Sequence, residues 1–196
     1  METITNETFA NLLEDLKLPH YALSANATTL LSVDARYIRD LKVNVSNVLQ
    51  NTQHLTRKEA LLLAYAVSVN ERQPLLQESF SGLAAREGAT QEELAEMVAL
   101  TSLMNTNNIL YRFRHFMHKE FYHNQPAGVK MGIMINPVTG KEFFELASLV
   151  ISSLNGCELC VTSHEQSVLK HGASESKVFE AVKLGAVIKG LVTVLS

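Results

Sequence analysis

Apolar residues recur along this chain at intervals of three and four, the spacing that turns one face of an α-helix toward a core. Leu94, Met97, Val98 and Thr101 share one such face, and Val178, Ala181, Val182, Gly185 and Ala186 share another. Capping residues stand where these stretches begin. "TRKE" (56–59), "TQEE" (90–93) and "TGKE" (139–142) each read as a capping box, with a threonine hydroxyl and a glutamate three residues on covering backbone N–H groups at the helix start. Ser174 marks a fourth start, although Lys177 stands where the reciprocal glutamate belongs. Gly88 and Gly172 stop helices just ahead of two of these caps. No stretch alternates with period two. The nearest to one, "KMGIMIN" (130–136), lies in a segment containing Gly and Pro and is read as an extended loop.

The signals repeat. Thr56 and Thr139 open equivalent helices, and "REGATQEE" (86–93) and "KHGASESK" (170–177) end one helix and begin the next, at an offset of 83 or 84 residues. Each unit reads helix, short break, helix, glycine turn, long helix, with "NER" (70–72) as the first break and "NGC" (155–157) as the second. The predicted fold is therefore all-α. Two similar units, about 56–118 and 139–195, pack as one helical domain over 35–196, and 121–138 links them. Residues 1–34 form an N-terminal extension in which "FANLLEDLKL" predicts a short amphipathic helix.

Composition narrows the function classes. Of 196 residues, 46% are hydrophobic, ample for a core, and a net charge of −3 with interleaved signs offers no basic face for nucleic acid. The N-terminal "METITNETFANLLEDLK" lacks the basic start and apolar run of a signal peptide, and the most apolar stretches are too short or carry lysines, so no membrane span is expected. A cytoplasmic protein is the expectation, and in that compartment a C-x-x-C is more often catalytic or metal-binding than structural.

Both cysteines of the chain lie in "NGCELCVTSHEQ" (155–166). Asn155 and Gly156 break the helix that begins at Lys141, and the next begins near Cys157. A first-turn cysteine feels the positive end of the helix dipole, which favours thiolate. Cys157 and Cys160 share a face at i and i+3, within reach of a disulfide. His164, four residues beyond Cys160 on that face, can accept a thiol proton, and Glu145, one helix earlier, can orient the imidazole. At the same places the first unit carries Gln73, Leu76, Phe80 and Leu62, so the helical frame does not need the four. Three readings of the cysteines stand at this point: a redox pair, a zinc site short of a fourth ligand, and inert buried thiols. The dipole alone favours Cys157 as the nucleophile.

Glu145, twelve residues before C-x-x-C-x-x-x-H, and the stretch "NPVTGKEFFELASLVISSLNGCELCVTSHE" resemble the active-site region of the alkylhydroperoxidase D (AhpD) family, in the carboxymuconolactone decarboxylase-like superfamily. "NTNNILYRFRHFM" (105–117) is also similar to a segment of that family, and the resemblance runs from about residue 35 to 195. It implies an all-helical subunit that assembles as a homo-oligomer, a trimer in the usual case. It also implies reduction of hydroperoxides in support of a peroxiredoxin, with no bound cofactor or metal. The implied electron source is external dihydrolipoamide, presented by a lipoyl-bearing protein. Cys160 would be the peroxide-attacking thiol that becomes a sulfenic acid, and Cys157 the resolving cysteine and proton donor that closes the disulfide. His164 and Glu145 would relay the proton. Leu159 departs from the pattern: well-known members carry histidine immediately before the second cysteine. A thiol–disulfide reductase with weak peroxidase activity is the alternative this opens, and a non-catalytic helical assembly protein is a further one.

Elsewhere, His115 and His118 with His123 and Glu120 have spacing that can serve a metal, but a solvated or interface helix end is the better reading. Arg112 and Arg114 in "YRFRHF" are expected to reach buried or intersubunit carboxylates. His171 suits a helix C-terminus, and the six methionines read as core filling.

Overall fold

The computed structural model describes residues 6–18 and 21–196, so the first five residues of the polar N-terminus lie outside it. Among the described residues every regular element is helical. The helices are α1 (Glu7–Asp15), α2 (Ala25–Ser32), α3 (Tyr37–Gln50), α4 (Arg57–Asn70), α5 (Pro74–Arg86), α6 (Gln91–Met117), α7 (Glu120–Asn124), α8 (Lys141–Leu154), α9 (Glu158–Lys170) and α10 (Glu175–Leu195). None is long and apolar enough to cross a membrane.

Two of the three expected capping boxes form. Thr56 and Glu59 close α4, and Thr90 and Glu93 close α6, each with both reciprocal bonds. Ser174 Oγ accepts from the Lys177 amide to cap α10, and the Lys177 side chain turns away to Glu59 and Glu142, each at 2.8 Å. The third box does not form. Gly140 is the N-cap of α8, with φ +83°, and makes no side-chain cap. Thr139 is drawn off by Glu96 of α6, whose carboxylate accepts from the Val138 and Thr139 amides and from the Thr139 hydroxyl at 2.6–2.9 Å. A buried carboxylate with three donors outcompetes a local cap. The 130–136 segment is irregular as expected, apart from a single 3₁₀ turn at Gly132–Met134.

The core faces differ in detail from the spacing prediction. On α6 the buried line is Leu94, Met97, Leu100, Thr101 and Met104, and Val98 is exposed. On α10 it is Ala181, Leu184, Gly185, Ile188 and Leu191, and Ala186 is exposed. Of the five α10 positions expected to face the core, Ala181 and Gly185 do so, while Val178 and Val182 are only partly buried. Helix α8 lies at the centre, with every residue from Phe143 to Ser152 buried against α4, α6, α9 and α10. Gly185 of α10 allows the closest approach: a Cβ there would stand 2.7 Å from Val150 Cγ1 of α8. Helix α1 is amphipathic as expected and packs on α3, burying Phe9, Leu12 and Leu13. The N-terminal segment is fastened to the opposite end of the chain, since the Tyr21 and Ser24 hydroxyls donate to the carbonyls of Leu195 and Val194.

Candidate active site

Because α8 is buried along its length, Glu145 is carried into the interior, only 4% exposed. The helix ends at Leu154. Gly156, at φ +68°, permits the reversal, and the Cys157 amide donates back to Ser152 O at 3.1 Å. Cys157 is thus the N-cap of α9 and Cys160 lies in its first turn. The two are joined as a disulfide, with Cα atoms 5.3 Å apart.

A chain of amides fixes this turn. Asn155 Nδ2 donates to Asn108 Oδ1 at 2.9 Å, and Asn108 Nδ2 donates to Ser152 Oγ at 2.9 Å. Asn70 Nδ2 donates to Asn155 Oδ1, and Asn105 Nδ2 to Asn70 Oδ1. Arg112 of α6 donates to the Asn155 carbonyl at 2.6 Å. The C-x-x-C turn is therefore held from two neighbouring helices, α4 and α6, by a connected set of hydrogen bonds.

One turn past Cys160, His164 Nδ1 lies 2.6 Å from Glu145 Oε2. An ionised carboxylate only accepts, so Nδ1 carries a proton, and whenever the ring is neutral Nε2 is its free nitrogen. The other carboxylate oxygen, Oε1, is 3.2 Å from Lys141 Nζ, and that ammonium also donates to the Met134 carbonyl. Burial pushes the Glu145 carboxyl up, but the His164 hydrogen bond and charge and the Lys141 ammonium outweigh it, leaving the group below the usual carboxylate range.

Cys160 and His164 open onto one cavity of about 330 Å³, walled by Leu159, Ser163, Asn107, Tyr111, Met131 and Met134. Cys160 is 7% exposed, whereas Cys157 is wholly buried and does not line the cavity. All four residues singled out in the sequence thus meet, with Cys157 behind the disulfide and Cys160 at the cavity wall. Access runs against the first-turn argument, since Cys160 and not Cys157 faces the cavity.

Lys141, Asn107, Tyr111 and the two methionines were missed. Lys141 had a signal in its i, i+4 spacing from Glu145. "NTNN" in the middle of a long helix was another, since asparagine is a poor helix former and needs a reason to be there. The methionines reach the cavity from the linking loop, and nothing local in the sequence announces it.

The histidine group at the end of α6 does not gather. His115 Nε2 is 3.7 Å from Glu158 Oε2 and its ring meets that of His118 edge-on. Among the described residues no three His, Cys, Asp or Glu side chains are grouped to hold a metal ion. The two arginines bind backbone rather than acids: Arg112 takes Asn155 O, and Arg114 takes Gln125 O at 2.6 Å. His171 Nδ1 turns back to Ser167 O at the end of α9.

Residues 123–195 match the model of the carboxymuconolactone decarboxylase family. The chain is 37% identical over 166 residues to alkyl hydroperoxide reductase AhpD of Solibacter usitatus, covering 85% of this chain and 93% of that protein. It is 34% identical to the AhpD of Maricaulis maris, covering 85% of this chain and 98% of the relative. To the AhpD of Coxiella burnetii it is 34% identical over 81% of this chain and 90% of the relative. With His164, bonded to Glu145, and Cys160, joined to Cys157, lining one cavity, and such similarity over nearly the whole of each relative, this chain belongs to the AhpD family within the carboxymuconolactone decarboxylase group.

Proposed function

We propose that the protein is a dithiol peroxidase that reduces hydroperoxides through Cys157 and Cys160. The observation that carries the reading is the Glu145–His164 hydrogen bond beside a cavity that Cys160 lines. In the reduced enzyme His164 Nε2 takes the Cys160 thiol proton. The thiolate attacks the terminal oxygen of ROOH, the O–O bond breaks, and the imidazolium returns the proton to the departing alkoxide as ROH. Cys160 is then a sulfenic acid. The Cys157 thiol attacks it, a sulfur–sulfur bond forms and water leaves. Two electrons from an external dithiol restore both thiols. Glu145, held ionised by Lys141, keeps the ring in the tautomer the cycle needs and stabilises the imidazolium.

The reductant in this reading is dihydrolipoamide on a lipoyl-bearing protein, and the enzyme supports a peroxiredoxin of the alkyl hydroperoxide reductase C type. No bound cofactor or metal takes part. The protein works in the cytoplasm as a homo-oligomer, a trimer being the favoured form. Large apolar side chains exposed along one stripe of α6, Ile109, Phe113 and Phe116, with Phe121 of α7 beside them, support a partner copy on that face. Helices α4, α5 and α6, of 14, 13 and 27 residues, and α8, α9 and α10, of 14, 13 and 21, support the reading of two copies of one unit.

A second reading, a thiol–disulfide reductase with weak peroxidase activity, is favoured by Leu159. It stands in the cavity wall, 41% exposed, at the place of a family histidine. One pair of assays separates the two. Hydroperoxide consumption with dihydrolipoamide as donor is compared in wild type and Cys160→Ser, beside reduction of a small disulfide by the same preparations. Equal background consumption in both proteins with brisk disulfide reduction by the wild type means reductase. Consumption lost only in Cys160→Ser means peroxidase.

A further inference from the structure

Asn107 is 94% buried in the wall of the Cys160 cavity, and its amide is half used. Its Nδ2 points to Met131 Sδ at 3.6 Å, a weak partner, while its Oδ1 is buried and accepts from nothing among the described residues. The neighbouring asparagines of α6 are different. Asn105 donates to Asn70 and to Thr101 O, and Asn108 both donates and accepts in the network that holds the C-x-x-C turn. Those two are accounted for by structure. Asn107 is not, and a buried amide oxygen without a donor is a standing penalty in the folded protein.

We propose that Asn107 Oδ1 is the acceptor for the terminal O–H of an organic hydroperoxide, and so a substrate-positioning residue of this site. The proposal rests on the peroxidase reading above. A hydroperoxide carries one donor, on the same terminal oxygen that the sulfur attacks. Of the other cavity walls, Met131, Met134, Leu159 and the ring of Tyr111 are apolar bodies that suit the organic group, and Ser163 has its hydroxyl proton committed to Leu159 O at 2.8 Å. With the O–H given to Asn107, the terminal oxygen is turned toward Cys160 and the inner oxygen is left for the proton on His164. When the thiolate attacks, a sulfur–oxygen bond forms, the oxygen–oxygen bond breaks, and the inner oxygen departs as ROH with the His164 proton. The sulfur is oxidised and the peroxide reduced. The original hydroperoxide proton remains on the transferred oxygen, so the sulfenic acid O–H is still held by Asn107 while Cys157 attacks.

The test is single-turnover oxidation of the reduced enzyme, followed by thiol loss, with tert-butyl hydroperoxide and separately with a small aromatic disulfide that has no O–H. In Asn107→Leu, the hydroperoxide rate constant is expected to fall about tenfold with the disulfide rate within about twofold, the size expected for losing one buried hydrogen bond. A fall in both rates alike makes Asn107 structural and overturns the proposal, as does no change in either. A wild type that the disulfide oxidises and the hydroperoxide does not defeats the peroxidase reading itself, and the proposal with it. Should the variant fail to fold, the wild type suffices. tert-Butanol should compete against tert-butyl hydroperoxide at least about fivefold more strongly than tert-butyl methyl ether, which has the oxygen but no donor. Equal competition overturns the assignment.

Discussion

His164 Nδ1 meets Glu145 Oε2 at 2.6 Å across nineteen residues of sequence, and in the proposed cycle this contact gives the dithiol a directed base. Its first consequence is kinetic. Glu145→Gln keeps the volume but offers the ring an amide in place of an ionised acceptor, and it removes the partner of Lys141. The rate of Cys160 oxidation by hydroperoxide should fall about 10²-fold, the usual weight of an oriented acid–base group, and His164→Ala should fall about as far. The double variant should be little worse than either single, because the two residues act as a unit. Stopped-flow thiol loss gives all three numbers. Additive losses would show that Glu145 acts apart from His164.

The same carboxyl carries a pH dependence with a definite sign. Glu145 and Glu180 are both pushed up by burial and then held below the ordinary carboxylate range, Glu145 by His164 and Lys141. Glu180 is held by the backbone N–H groups of Gln53, His54 and Leu55 and by the His54 charge. A group whose folded pKa is depressed contributes stability above its unfolded pKa and loses it as pH falls through the folded value. Denaturant midpoints measured from neutral pH downward should therefore drop through the acid range, and Glu180→Gln should flatten that drop. At neutral pH the same substitution should lower stability by about 2 kcal/mol, since three backbone donors lose a charged acceptor. A parallel acid dependence in variant and wild type would assign the effect to other groups.

The two cysteines should fail differently. Cys160→Ser removes the sulfur that lines the cavity and should abolish hydroperoxide consumption. Cys157→Ser keeps that sulfur and removes the partner behind it, so one equivalent of peroxide should be consumed and the reaction should stop at a sulfenic acid. Intact-mass measurement should show one added oxygen on Cys157→Ser and none on Cys160→Ser. The reverse pattern would return the nucleophile to Cys157, where the helix dipole alone would have put it.

Much of this site was legible in the sequence because its logic is local. Cys157, Cys160 and His164 sit on one helical face by spacing alone, and Asn155-Gly156 announces the turn that starts it. Glu145 was legible by distance along α8. What escaped was whatever depended on residues far apart in sequence. Thr139 satisfies every local rule for a capping box, but Glu96, 43 residues away, takes its amide and hydroxyl. Arg112 looked like half of a salt bridge and instead closes the carbonyl of Asn155, 43 residues on. Lys177, out of place for a capping box, is explained only when Glu59 and Glu142 arrive from two other helices. Asn107 and the methionines meet because the linking loop folds back over α9, a path that no periodicity encodes.

Leu159 offers a test in the direction of gain. It lines the cavity beside Cys160 and is exposed enough to accept a polar ring without burying it. Leu159→His should raise the single-turnover rate with hydroperoxide by about fivefold, a modest share of what a placed acid–base group can supply. Stability should change little, because the position is not in the core. An unchanged rate would mean that the Glu145–His164 relay already does all the proton transfer the step requires.

The packing that carries Glu145 inward can be tested at Gly185. Helix α10 approaches α8 so closely there that an added Cβ would stand 2.7 Å from Val150 Cγ1. Val150 is buried and β-branched, so its methyl groups have one comfortable rotamer in a helix and little freedom to withdraw. Alanine in place of glycine gains about 1 kcal/mol of helix propensity. Overpacking a tight contact costs typically 1–3 kcal/mol. Gly185→Ala should therefore be net destabilising by about 1 kcal/mol. Val150→Ala leaves a void and should destabilise on its own by about 2 kcal/mol. The two changes are complementary in shape, since the new Cβ enters the space the valine methyls vacate. Combined, they should be more stable than the sum of the single effects by about 1 kcal/mol or more, read from denaturant midpoints at constant slope. Simple additivity would mean that the helices separate to admit the Cβ. In that case Glu145, on the same helix as Val150, should lose its alignment with His164, and the hydroperoxide rate of Gly185→Ala should fall with its stability.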